Sequence, residues 1–321
     1  MYDIITFGSA TVDAFAKTDI ETICINHHGE TEEFIAYEAG SKIIINDLDF
    51  QIGGGKTKTD CAFSRLGLST AFCGNLGNDT NAESVKTLLE KENIDFVGVQ
   101  GRGQTGYSMV LDSCVDDRTI LTFKGVNNNL KYSDIDKKKL NARWFYFSSL
   151  MGESYKTFVK LTEYAQKKAI KVAFNPSSYL AKKGAKALKK PLQNTDLLIL
   201  NLEEAKLLVG DKKVKELLKS LRELGPKTVV ITDGSLGAYA HNGKAHYAPS
   251  LKVKVKETTG AGDAFASAFL AGLYYKNDIK YALRLGVVNS TSVIKHLGAK
   301  NKLLSLKEAQ KEIKKVGVKS I

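Results

Sequence analysis

The sequence predicts an α/β fold with a mostly parallel central sheet flanked by helices and a small β-sheet lid. Three observations lead there. Short, nearly all-apolar runs alternate with amphipathic helical stretches along most of the chain, the pattern of strands buried on both faces. Two stretches interrupt that rhythm with strand pairs that have no helix between them. Finally, 321 residues, 43% of them hydrophobic, can bury one large core, and no Pro/Ser-rich linker or internal repeat divides it. Residues 1–321 are therefore read as a single domain whose lid comes from segments at about 14–47 and 99–126.

The strands expected in the main sheet are 3–8 (DIITFG), 70–75, 143–149, 171–175, 196–200 and 228–232 (TVVIT). Between them, DTNAESVKTLLEKENI places Val85, Leu88 and Leu89 on one helical face, with Asp79 or Thr80 as cap. SYKTFVKLTEYAQKKA does the same with Phe158, Leu161 and Ala165. Trp144 and Tyr146 lie in an apolar strand and read as core. The expected lid hairpins are 33–46 (EEFIAYEAGSKIII) and 105–123. The last third reads as two consecutive helices, AGDAFASAFLAGLYYK and IKYALRLGVVNSTSVIKHL, the first rich in small residues that permit close packing.

Composition excludes several classes. The net charge of +12 raises the question of nucleic acid. However, the lysine runs at 137–140, 181–190, 212–224 and 311–315 have the spacing of solvated helix faces, and no recognition motif accompanies them. No run approaches the roughly 18 apolar residues of a membrane span. The opening MYDIITFGSA reads as a first strand and not a signal peptide. Cys24, Cys61, Cys73 and Cys114 are widely spaced without a C-x-x-C pair, which suits reduced thiols in a cytoplasmic protein and argues against zinc. His27 and His28 read as surface residues of a lid turn.

Two glycine-rich segments carry the chemistry. IGGGKTKTD contains Gly55-Lys56-Thr57, the tail of a P-loop. That loop requires a glycine five residues before Gly55, where Phe50 stands, so the spacing fails. ETTGAGDAFASAFLAGL is more informative. Gly260, Ala261 and Gly262 precede Asp263 at an expected helix start, where converging N–H groups and the helix dipole make an anion hole. A carboxylate beside such a hole either caps the helix or takes a proton from a hydroxyl that attacks a phosphoryl group.

TTGAGDAFASAFLAGL resembles the C-terminal signature of the ribokinase family of carbohydrate and nucleoside kinases, D-T-x-G-A-G-D-x-F. Four more segments resemble that family in the same order. FGSATVD is similar to its first strand and substrate-binding aspartate, here Asp13. GGGKTKTDCAFSRLG is similar to its sugar-side glycine loop, here Gly54, Gly55 and Lys58, with Gly67 ending the helix behind it. NLEEA matches its N-x-x-E, here Asn201 and Glu204. ITDGSLGAYA matches its T-x-G-x-x-G turn, here Thr232, Gly234 and Gly237. The resemblance covers nearly the whole chain and implies a ribokinase-like fold. It also implies an ATP-dependent kinase with Asp263 as base, residues 260–262 as anion hole, and the 232–237 turn near ATP. Glu204, with Asn201, would organise Mg2+ through water, and K+ would lie near Glu257–Thr259. Asn127 in GVNNNL resembles the family's G-A-N after the lid and stands either against the sugar or as a turn residue. Asn175-Pro176 either lines the ligand side of the sheet or ends its strand.

The sequence departs from the family at two positions, with Lys58 where asparagine is usual and Asp60 where alanine is. Either Lys58, with Lys56, recognises a phosphorylated or acidic sugar, or it faces solvent or pairs with Asp60 over an altered sugar site. A nucleoside kinase, a phosphosugar kinase and a kinase-like, non-catalytic ligand-binding protein remain the alternatives to a sugar kinase. A dinucleotide oxidoreductase is disfavoured because FGSATVD lacks G-x-G-x-x-G. A homodimer paired through the lid is expected.

Overall fold

The computed structural model describes residues 1–18, 22–27, 30–53, 55–112, 118–296 and 302–321. The first part of the chain contains β1 (Tyr2–Phe7), β2 (Thr11–Lys17), β3 (Thr22–His27), β4 (Glu30–Ile35), β5 (Asp47–Gly53), α1 (Gly55–Arg65), β6 (Thr70–Cys73), β7 (Asn75–Leu76), α2 (Thr80–Lys91), β8 (Ile94–Phe96), β9 (Val99–Gln100), β10 (Gly106–Asp112) and β11 (Arg118–Phe123). There follow β12 (Ala142–Phe147), α3 (Gly152–Lys167), β13 (Lys171–Phe174), α4 (Ser177–Ala181), α5 (Gly184–Ala187), α6 (Lys189–Gln193), β14 (Leu197–Asn201), α7 (Leu202–Val209), α8 (Val214–Glu223) and β15 (Thr228–Thr232). The chain closes with β16 (Ala238–His241), β17 (Ala245–Ala248), α9 (Ala261–Lys276), α10 (Ile279–Ile294), α11 (Leu306–Glu312) and β18 (Lys319–Ser320).

Ten strands form the main sheet in the order β18-β17-β16-β15-β14-β13-β12-β1-β6-β8. From β15 to β8 every pairing is parallel, and β16 to β18 extend the β15 edge antiparallel. The apolar runs read as strands are those whose residues are buried on both faces: Val229, Val230 and Ile231 in β15, and Phe145, Tyr146 and Phe147 in β12. From β1 the chain builds β6 and β8 on one side, then crosses back to build β12 to β15 on the other. The order therefore reverses between β1 and β12, and in such sheets a crevice opens there at the carboxyl ends of the strands.

One face of the sheet carries α3, α7 and α8 over a core that includes Phe7, Phe147, Phe158 and Phe174; the other carries α9 and α10 over Phe63, Tyr146 and Phe269. In α8 the lysine-rich run turns Leu217, Leu218 and Leu221 inward, as a solvated helix face requires. The small residues of α9 let α10 approach closely: a Cβ on Gly272 would stand 2.6 Å from the Ala282 Cα.

A separate four-stranded sheet has the order β11-β10-β2-β5, and β3 and β4 form their own hairpin. The 105–123 hairpin is present as β10 and β11. The hairpin expected at 33–46 is not: the pair is β3 with β4, and residues 36–46 have no strand among them. The Ile43–Ile45 run has β-propensity but gains no neighbouring strand, and all three side chains stay exposed. Helix α1 ends as expected, with Gly67 at φ 86° and its N–H donating to the Ser64 carbonyl.

Candidate active site

Four carboxyl-terminal strand ends converge on one side of the main sheet. β12 runs into Ser148 and Ser149, β13 into Asn175-Pro176, β14 into Asn201 and α7, and β15 into Thr232 and the 234–237 turn. The Ser149 hydroxyl bonds the Pro176 carbonyl and pairs with the Ser177 hydroxyl, tying the β12 and β13 ends together. The resemblance therefore names residues that the sheet brings to a single edge. A cleft lined by Arg143, Trp144, Lys171 and Tyr274 holds none of them; it lies at the amino-terminal edge of β12 and β13, the wrong end for a ligand of this fold.

Asn201 and Glu204 form a capping box. The Asn201 side chain accepts from the Glu204 N–H at 2.8 Å, and a Glu204 carboxylate oxygen accepts from the Asn201 N–H at 3.0 Å. The motif thus has a structural role, but that does not account for all of Glu204. Its side chain is only 7% exposed, and burial raises its carboxyl above the usual range, assisted by the negative charge of Asp263 and opposed by backbone donors at Asn201 and Ser178. A buried acid within the field of a second acid is costly unless a cation or proton joins them.

Asp263 stands half-buried on the first turn of α9. The N-cap is Gly260, in the left-handed region at φ 84°, and no side chain caps the helix. Asp263 occupies the third helical position, so the capping reading does not describe it. The Ala261 N–H turns back to the Thr258 carbonyl at 3.2 Å. Gly262 is exposed, with open space where a Cβ would stand, and it holds a first-turn position whose N–H has no partner within the helix. The turn is held from behind by Asn289, fully buried, whose side chain donates to the Ala264 carbonyl at 3.0 Å and accepts from the Leu304 N–H at 3.0 Å.

Tyr146, expected as core, links these groups. It is 1% exposed. Burial and then the charges of Asp263, Asp60 and Glu204 push its phenol well above the ordinary range, against a hydrogen bond with Asn175. Only a polar atom on an otherwise apolar strand could have signalled it, as with Asn289 in the apolar α10. Asp60 is fully buried in α1. Lys58, two residues earlier and half-buried, points to another side of that helix, because residues two apart do not face each other.

At the turn expected beside the nucleotide, Thr232 ends β15, and Gly237 at φ 111° closes a loop in which the Asp233 N–H donates to its carbonyl at 2.8 Å. A Cβ there would stand 2.2 Å from the Ala248 carbonyl oxygen, so only glycine fits. Gly234 is also left-handed, at φ 48°.

Of the residues expected to meet the acceptor, Asp13 lies on the small sheet. Asp13 in β2 accepts from the Thr11 hydroxyl at 2.8 Å, and its carboxylate packs so closely on Gly53 that a Cβ there would stand 1.7 Å away. Strand register places Asp13 in one row with Gln51, Ser108 and Thr122. Gly54 lies outside the described residues, as do His28 and Cys114; Gly55 opens α1. Asn127 is brought to the same place but with its side chain engaged: the amide donates to the Ala10 carbonyl at 2.9 Å and accepts from the Ala10 N–H at 3.2 Å, with the residue 3% exposed. Among the described residues no three His, Cys, Asp or Glu side chains gather as a metal cage.

The model of the pfkB family of carbohydrate kinases matches residues 20–306. The chain belongs to this family. It is a carbohydrate kinase, a phosphotransferase with an alcohol acceptor. Among curated proteins it is 30% identical over 247 residues to an uncharacterized sugar kinase of Archaeoglobus fulgidus, covering 75% of this chain and 97% of that one. It is 27% identical over 283 residues to the ribokinase of Lactococcus lactis, covering 87% and 91%. Among solved structures it resembles Arabidopsis thaliana ribokinase complexed with ribose and ATP, with a TM-score of 0.83 and 19% identity over 98% and 99% of the two chains, a likeness of fold. No helix among the described residues is long and apolar enough to cross a membrane.

Proposed function

We propose that this pfkB-family kinase transfers the γ-phosphoryl group of ATP to a hydroxyl of a sugar or sugar-like acceptor held between the strand ends of the main sheet and the small sheet. The observation that carries this reading is Asp263 on an uncapped helix start, close enough to Glu204 to raise its proton affinity. In the transfer, the Asp263 carboxylate takes the hydroxyl proton. The hydroxyl oxygen forms the new O–P bond, and the γ-phosphorus bond to the bridging oxygen breaks, its electron pair leaving with ADP. Backbone donors of the Gly260–Gly262 turn offset charge on the transferred group, an effect often worth about 3 kcal/mol.

ATP would lie beside Thr232, Gly234 and Gly237. The donor set fits Mg2+ held mainly through water, an ion that keeps its hydration and takes one or two carboxylates. Glu204, fixed by its capping box, would hold such water, and the bound ion would neutralise phosphate charge. K+ beside Glu257–Thr259 rests on the family resemblance. Asp13 would accept sugar hydroxyls, and Gly55 and Lys58 join it on the family resemblance. The Asn127 geometry favours positioning, because its side chain joins the turn after β11 to the turn between β1 and β2.

The small sheet also supports a homodimer. Its rows alternate: Asp13, Ser108 and Thr122 share one face, and Leu48, Phe50, Met109, Leu121 and Phe123 share the other, all five exposed. An apolar sheet face of that extent fits a second copy of itself.

ATP consumption with pentoses, hexoses, nucleosides and sugar phosphates tests the proposal, with Asp263→Asn in parallel. Turnover by the parent and not by the variant supports it. A kinase-like binding protein would bind ATP and turn over no acceptor, and an active Asp263→Asn variant would remove the base assigned here.

A further inference from the structure

Lys124 belongs to none of the motifs above. It lies one residue beyond β11, where the chain enters the 3-10 turn at Gly125–Asn128, near enough to Asp13 in β2 for their charges to interact. Its ammonium sits 5.2 Å from the ring centre of Tyr179 in α4, on the helix that follows Asn175-Pro176 at the main-sheet edge. The side chain therefore spans from the small sheet to the main sheet, across the space assigned to the acceptor. It is half-buried. Burial lowers its proton affinity, and the charge of Asp13 opposes that shift, so the two charges sense each other. Yet Lys124 forms no ion pair among the described residues. Exposed Tyr179 supplies only a cation–π contact, a weak substitute for a carboxylate. A partly desolvated ammonium in this state gains most from an anion delivered by a ligand.

We propose that Lys124 is the specificity-determining cation of the acceptor site, so that the alcohol phosphorylated here belongs to a sugar carrying a phosphate or carboxylate group. This rests on the kinase reading for the site's location. Asp13, packed on Gly53, receives the neutral hydroxyls, and Lys124, at the Tyr179 end, receives the anion.

Calorimetric titration without ATP tests this with D-ribose against D-ribose 5-phosphate, D-fructose against D-fructose 6-phosphate, and D-glucose against D-gluconate. At least one anionic member is expected to bind more tightly than its neutral parent. Lys124→Met should weaken that binding at least about tenfold and leave the neutral parent and ATP within about twofold, whereas Lys124→Arg should retain most of it. Tyr179→Ala removes the ring but keeps the ammonium, so it should cost less than about threefold; a loss equal to that of Lys124→Met would show a mere latch and overturn the proposal. No preference for any anionic member, or equal losses for neutral and anionic members in Lys124→Met, also overturns it. The phosphate and carboxylate arms identify which anion is read. If the binding pattern appears without ATP turnover, the kinase mechanism fails while the anion assignment stands. If neutral sugars turn over as well as their anionic counterparts and Lys124→Met spares both, the mechanism stands and the anion assignment fails.

Discussion

The two sheets manage polar groups in opposite ways. At the carboxyl ends of the main sheet, polar groups are fixed by backbone. Glu204 is locked in a capping box, Asp263 stands on a helix start, and Gly237 admits no side chain. Across from them, the small sheet fixes its polar row by strand register and leaves its far face apolar and exposed. The difference suggests a division of labour. On the proposed function, the groups assigned to phosphoryl transfer are held by local backbone geometry, while acceptor and partner would be chosen by side chains that strand register places.

The largest effect expected from breaking the first region is at Asp263. Asp263→Asn keeps the size and the helix position but removes the proton acceptor, so kcat should fall about 10²–10⁴-fold. ATP affinity and thermal stability should barely change. A fall of less than tenfold in steady-state turnover would show that the carboxylate is not the base.

The contrast also explains what could be read in advance. The boundaries of β15 and α9 match the expected 228–232 and 261–276, because an apolar run bounded by turn residues and a helix start after Gly-Ala-Gly are local signals. The place of Asp263 on the first turn of α9 was legible for the same reason. The small-sheet side was legible only in part. Asp13 lies in a motif, but its packing on Gly53 and its nearness to Lys124 join residues far apart in sequence, and Lys124 has no local signature. The misplaced 33–46 hairpin has a related cause: β5 pairs with β2 and leaves Ile43–Ile45 without a partner strand, a tertiary outcome that local alternation cannot encode. Asn127 stands in a recognisable motif, but the motif could not show that its amide would bond Ala10.

The second region is broken from outside. Phe50→Asp with Leu121→Asp places charges on the exposed apolar face without touching the polar row. If that face joins two copies, sedimentation should shift from dimer to monomer, because buried unpaired charges are costly at an interface. A parent protein that already sediments as a monomer would refute the interface.

A smaller effect separates positioning from contact at Asn127. Asn127→Ala leaves both Ala10 backbone groups without their partner, a loss of about 1–3 kcal/mol if they stay buried. Thermal or urea unfolding should show that loss, and the acceptor KM should rise with kcat nearly unchanged. Unchanged stability with a large rise in KM would instead indicate direct sugar contact.

Glu204 gives the finest discrimination, because function and stability are expected to move in opposite directions. Its carboxyl is raised in the folded chain, chiefly by burial. Relative to the unfolded chain, ionising it therefore costs stability. That cost is present above the folded-state value and disappears below the unfolded-state value, near about 4.3. Glu204→Gln keeps an acceptor for the Asn201 N–H but removes the buried charge. At pH 7–8 the variant should melt at or above the parent temperature, and the gain should vanish as pH falls towards about 4. Turnover should drop at the same time, with the midpoint of its Mg2+ dependence moving to higher concentration. If melting temperature and turnover fell together at neutral pH, Glu204 would be a helix-capping residue whose charge the site does not use, and the division drawn between the two sheets would lose its metal-side support.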